Sequence, residues 1–220
     1  MTELVLDVWR YVQQILPLGL LALLVFFLMR PWRKRQLQRL GLTSTPVREI
    51  ALGLFILFCA GLAALTLFPS NFWLFVSTLG RTYPQGTTLW SFYPTWEQTM
   101  ANLEFLPASL VPFHQIGRDL ADPSYWGLFM LLGNIVLFAP IGFFSALLWR
   151  DVRWWKAGII GLGSSCIIEL LQLFIDRGTD IDDVILNTTG ALLGYGAFWV
   201  LNRCFPAFLG QFQCQIMEEL

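Results

Sequence analysis

Charge is scarce in this chain. Only 13% of its 220 residues are Asp, Glu, Lys or Arg, where a soluble domain carries roughly a quarter. Mean hydropathy is +0.60, so an ordinary water-soluble globule is excluded. Net charge is −1, which removes the basic footprint that nucleic-acid binding requires. Histidine is nearly absent, with His114 alone. Of the four cysteines, Cys59 and Cys166 fall in apolar stretches and Cys204 and Cys214 near the C-terminus, with no CxxC pair. That excludes a zinc centre and a disulfide framework, and no cofactor is predicted.

Long apolar runs are present instead. A membrane-crossing helix needs roughly 20 mostly apolar residues, and residues 11–29, 50–68, 125–149, 157–175 and 184–201 qualify. The fold class is therefore an all-α integral membrane protein with five transmembrane helices. The first run reads as a retained helix rather than a signal peptide, because Glu3 and Asp7 precede it and the basic cluster follows it. Ten Trp and nineteen Phe suit a chain with two lipid–water boundaries to line.

Basic residues set the orientation. Arg30, Arg33, Lys34, Arg35, Arg39 and Arg48 follow the first run, and Arg150, Arg153 and Lys156 follow the third. Lys and Arg near span ends favour the cytoplasm. The sequence thus predicts an outer N-terminus and a cytoplasmic C-terminus. It divides into a first helix with a basic linker (1–49), a transmembrane domain (50–201) and a cytoplasmic tail (202–220) whose Phe205, Phe208, Phe212 and Ile216, at helical spacing, predict an amphipathic helix. Segment 69–124 is rich in aromatics and punctuated by Pro84, Pro94, Pro107 and Pro112. It is predicted to form short helices lying on the outer membrane surface.

Polar groups inside apolar runs carry the functional information. Ser165, Glu169, Gln172 and Asp176 share one helical face, and Asp183, Asn187, Gly190 and Gly194 form a second stripe. Counting from the outer ends at ~1.5 Å per residue puts Glu169 roughly 9 Å deep and Asn134 roughly 13 Å deep. Three spans therefore offer polar groups to one outer layer, with His114 just before the third of them. Between the fourth and fifth spans lie Asp176, Arg177, Asp180, Asp182 and Asp183.

Two readings stand for each group. Glu169 either pairs with Arg177 to hold helices together or serves as a general acid or base. Asn134 and Asn187 are either interhelical glue or ligand contacts. Gly190 and Gly194 form a small-xxx-small pattern, which close helix packing explains without a ligand. Asp180 or Asp182 suits a helix start. Four aspartates beside one arginine exceed what capping needs, and crowded carboxylates need a cation, an arginine or a proton. A divalent ion is one such relief, but the spacing is not an EF-hand loop, so no metal ligand set is predicted. Arg177 alternatively faces outward as a grip for phosphate or carboxylate. Pro140, close to Asn134 and Gly142, predicts a bend in the third span.

These residues also resemble a known family. Leu65-Thr66-Leu67-Phe68-Pro69, Leu110-Val111-Pro112-Phe113-His114, the run from Gly133-Asn134 to Pro140-Ile141-Gly142, Ile168-Glu169-Leu170-Leu171-Gln172, and the run from Arg177-Gly178-Thr179-Asp180 to Asn187-Thr188-Thr189-Gly190 look like the VanZ-like bacterial membrane proteins. The resemblance covers roughly residues 50 to 200. It implies a bacterial cytoplasmic membrane protein linked to resistance against teicoplanin, a lipid-tailed glycopeptide that binds cell-wall precursors. It implies no reaction.

Two functions and a structural alternative follow. In the first, an outer vestibule lined by Asn134, Glu169, Gln172, Arg177, Asp180, Asp182, Asp183, Asn187 and His114 binds or shields a lipid headgroup, an envelope precursor or a glycopeptide. In the second, a membrane-embedded enzyme uses Glu169, Asp182 or Asp183 in catalysis, with or without a divalent ion. In the third, the polar cluster only holds the fold.

Overall fold

Hydrocarbon offers no partner for backbone N–H and C=O groups, so apolar spans must close their hydrogen bonds within helices. The computed structural model describes residues 2–69, 72–78, 80, 81, 83–175 and 178–216, and they are overwhelmingly helical. In chain order the helices are α1 (Thr2–Leu28), α2 (Arg30–Arg39), α3 (Pro46–Leu67), α4 (Phe72–Ser77), α5 (Trp96–Ser109), α6 (His114–Ala121), α7 (Tyr125–Leu148), α8 (Trp154–Gln172), α9 (Ile181–Cys204) and α10 (Pro206–Gly210). A 3-10 turn occupies Leu89–Phe92, and β1 (Leu42–Thr43) pairs antiparallel with β2 (Gln215–Ile216). Helices α1, α3, α7, α8 and α9 are long and apolar enough to cross a membrane. All five predicted spans are there.

Capping fixes where several of these helices begin. The Thr45 hydroxyl accepts from the Arg48 N–H at 3.1 Å, with Pro46 in the first turn. The Ser124 hydroxyl accepts from Gly127 N–H at 2.9 Å, and the Asp180 carboxylate from Asp182 N–H at 2.9 Å. Each satisfies an N–H that the helix itself leaves open. Helix α7 continues through Pro140 to Leu148.

Glycine brings α7 and α9 together. A Cβ on Gly194 would overlap the carbonyl of Ala139, one on Gly190 that of Ile135, and one on Gly142 that of Ala191. Backbones therefore approach closely along this seam, as small residues allow. Helix α8 joins where Gly161 faces Ala191. Helix α3 packs on α7 and α8, while α1 lies outside α3. One core runs through Leu62, Phe138 and Ile141, another through Ala146, Leu147, Phe198 and Leu209.

Segment 69–124 breaks into short helices, as expected. Its aromatics cluster, with ring centroids 5.0 Å apart for Phe68 and Trp73 and 5.3 Å for Phe75 and Phe92. The tail departs from its helical spacing. Helix α10 ends at Gly210, and the chain then turns so that β2 pairs with β1. Leu209 is buried, and Phe212 packs against the clusters containing Leu148 and Phe198. The Thr45 hydroxyl donates to Gln211 O at 2.7 Å and Arg150 Nε to Gln213 Oε1 at 3.3 Å. Both basic loops and the tail thus lie at one end of the bundle, and the acidic connector lies at the other.

Candidate functional site

Helix α8 stops sooner than its apolar composition suggests. Leu173, Phe174 and Ile175 leave the helix, with Phe174 N–H donating to Leu171 O and Ile175 N–H to Gln172 O, both at 3.1 Å. These i to i−3 bonds tighten the last turn. Glu169 is therefore one turn from the helix end, ~4.5 Å along the axis at 1.5 Å per residue. The sequence estimate counted Leu173–Ile175 as helix, because apolar side chains in the closing turn mimic it.

Five hydrogen bonds stitch this end together. The Glu169 carboxylate accepts from Asp180 N–H at 3.1 Å, and the Thr179 hydroxyl donates to Glu169 O at 3.1 Å. Asn134 Nδ2 of α7 donates to Asp183 Oδ1 of α9 at 2.5 Å. Asn187 Nδ2 of α9 donates to the Ser165 hydroxyl of α8 at 2.9 Å. Gln172 Nε2 donates to Thr66 O of α3 at 3.3 Å. Glu169, Gln172, Asp182, Asn187 and Ser165 are all buried. Spans α3, α7, α8 and α9 meet here.

Asp182 stands apart, being 1% exposed and fully committed. Its Oδ1 accepts from Phe113 N–H at 2.5 Å, and its Oδ2 from Gln115 and Ile116 N–H at 2.8 and 3.0 Å. Phe113 adopts φ 62, the only positive φ on a non-glycine among the described residues. Around that left-handed step the amides of Phe113, Gln115 and Ile116 turn inward at the start of α6 and form an anion-binding cradle, while His114 N–H donates to Val111 O. A residue of one connector thereby caps a helix of the outer segment and fastens it to the bundle. The Pro112-Phe113-His114 and Asp180–Asp183 motifs, far apart in sequence, are two halves of this clasp.

His114 opens α6 and is exposed. Asp180 keeps its proton more readily than a free aspartate, because burial and the neighbouring Asp182 disfavour its charge; His114 and Arg118 oppose this. Arg177 and Asp176 lie outside the described residues, so the expected Glu169–Arg177 pair does too. Among the described residues no Lys or Arg forms an ion pair with Glu169, Asp180, Asp182 or Asp183. Nor, among them, do three His, Cys, Asp or Glu side chains converge to hold a metal ion.

Among the described residues the acidic end has acceptors to spare. Asn187 Oδ1 is buried and has no donor among the described residues. Sequence reasoning missed the backbone donors of Phe113, Gln115 and Ile116, since a main-chain amide leaves no mark on residue type. It also missed the Thr66 carbonyl and the Thr179 hydroxyl; their only signal was membership of the Leu65–Pro69 and Arg177–Gly190 motifs.

A family profile described as VanZ/LLP1 matches residues 55–202. The chain belongs to the VanZ/LLP1 family. It is similar to Protein VanZ of Enterococcus faecium, with 27% identity over 103 residues, 46% of this chain and 64% of that protein. The chain thus spans less than two thirds of that relative's length. No solved structure matches it. Every residue of the polar layer falls within the VanZ/LLP1 match, whereas α1, α2 and most of the tail fall outside. With its five apolar helices, this VanZ/LLP1 chain is a multi-pass membrane protein.

Proposed function

We propose that this VanZ/LLP1 protein binds or shields a hydrogen-bond-donating ligand at the acidic end of its bundle. The ligand is an amphipathic envelope molecule, either a lipid-linked precursor or a lipid-tailed glycopeptide of the teicoplanin type. The N-terminus lies outside and the C-terminus in the cytoplasm of a bacterial membrane. Location of the basic loops and the tail at one end supports that orientation.

The surplus of acceptors carries the reading. Among the described residues Asp182 takes three protein N–H groups, but Glu169, Asp180 and Asp183 each take one, and Asn187 Oδ1 takes none. Sugar hydroxyls, peptide amides and ammonium groups are the donors that such a layer suits. Arg177 is placed by sequence beside it, to meet an anionic group. Catalysis has less support, because the Ser165 hydroxyl receives the Asn187 amide and Asp182 is consumed by the clasp.

Glu169→Gln, Arg177→Lys and Asp183→Asn test this one at a time. Each variant should reach the membrane at the wild-type level while teicoplanin resistance falls roughly tenfold, since a bond to a charged group is worth ~1.5–3 kcal/mol. Resistance falling only in step with protein level would make the layer structural.

A further inference from the structure

The end opposite the acidic layer has its own unbalanced chemistry. Between residues 30 and 49 stand Arg30, Arg33, Lys34, Arg35, Arg39 and Arg48 against one carboxylate, Glu49. That carboxylate is already taken. Arg33 Nη2 reaches Glu49 Oε2 at 3.0 Å, the Ser44 hydroxyl reaches Oε1 at 2.7 Å, and Arg48 Nη1 lies 3.9 Å from Oε1. Arg33 is further pinned, donating to Phe26 O at 2.6 Å with its guanidinium 4.0 Å over the Phe26 ring. The Nε groups of Arg33 and Arg48 are buried with no acceptor among the described residues. Arg30 and Lys34 are exposed and form no ion pair among the described residues.

A cavity of about 190 Å³ opens between α2 and β1, lined by Arg30, Lys34, Gln38, Thr43, Ser44 and Glu49. It presents two cations that form no ion pair among the described residues, with the Thr43 hydroxyl and the Gln38 amide beside them. Directly beside it, an apolar groove of about 440 Å³ runs between α1 and α3 past Leu23, Phe27, Ile50, Leu54 and Leu57. Arg30 and Glu49 line both. A cationic cup and an apolar trough therefore meet at one point, at the end of two spans where lipid headgroups sit.

We infer that this composite site holds one anionic phospholipid, its phosphate between Arg30 and Lys34 and an acyl chain along the α1–α3 groove. Charge complementarity selects an anionic headgroup. Continuity with the groove selects a lipid over a free anion. The cup is too small for a whole lipid, and the trough alone has no reason to prefer charge.

The full chain, purified in detergent and reconstituted in nanodiscs of phosphatidylglycerol and phosphatidylcholine, tests it by counting retained lipids with native mass spectrometry. Phosphatidylglycerol should be retained over phosphatidylcholine, and Arg30→Gln with Lys34→Gln should lower its retention roughly tenfold. Arg35→Gln with Arg39→Gln removes equal charge outside the cavity and should leave retention unchanged. Leu54→Trp fills the groove without altering charge and should also lower retention. Equal losses from the two double variants, or no effect of Leu54→Trp, would overturn the inference. So would inorganic phosphate displacing the lipid completely, or a second copy of this chain covering the groove in cross-linking.

Discussion

Replacing Asp182 by alanine should cost on the order of 3 kcal/mol of stability, because three backbone N–H groups lose their acceptor together. The Phe113, Gln115 and Ile116 amides converge on this carboxylate. Without it, the left-handed Phe113 no longer has an anion to stabilise its turn, and α6 comes free of the bundle. Thermal melting in detergent should show the loss, and limited proteolysis should cut between residues 110 and 121. Asp182→Asn keeps one accepting oxygen and should fall between alanine and wild type. An Asp182→Ala protein that melts and resists protease like wild type would show that the clasp bears no load.

The second large effect belongs to the α7–α9 seam. Gly194→Ala places a methyl group into the Ala139 carbonyl, and neither backbone can yield without parting the helices. Overpacking of this kind costs ~1–3 kcal/mol, and the upper end applies where the obstacle is main chain. Gly196 lies two residues on, with nothing within 4 Å of its would-be Cβ. Gly196→Ala should therefore be neutral or stabilising by up to ~1 kcal/mol, since alanine is the better helix former. Membrane yield and melting temperature of the two variants should diverge sharply. Equal behaviour would contradict the close approach, and with it the alignment of Asn134 opposite Asp183.

Much of this was legible in the residues alone. The bilayer leaves few structural choices, so apolar length located all five spans. Small residues at 190 and 194 announced close packing before any coordinate was known. Ser165, Glu169 and Gln172 do share one buried face of α8. What escaped was of two kinds. The Asp182 clasp joins a side chain to main-chain amides about seventy residues earlier, and no residue type marks an amide as a ligand. The ends of helices were blurred for a different reason. Leu173–Ile175 are as apolar as helix, yet they close α8 in a tight turn. Phe212 and Ile216 keep a helical spacing, yet they lie beyond the end of α10 and serve a packed turn and a two-residue strand.

These corrections sharpen the function. With Asp182 assigned to architecture, the groups that the proposed ligand would meet are Glu169, Asp180, Asp183 and Asn187, beside the Arg177 position. The clasp fastens α6 beside α9 at this end, so stability and binding should separate by residue. Asp182 variants should lose both together. Asp183 and Glu169 variants should lose binding alone.

Direct titration tests that separation best. The purified chain in nanodiscs would be titrated with teicoplanin, and the Glu169→Gln/Asp183→Asn double variant compared at matched melting temperature. Saturable binding by wild type, weakened at least roughly tenfold in the double variant, is the predicted result. Undiminished affinity in a folded double variant would contradict a ligand-gripping role for this layer.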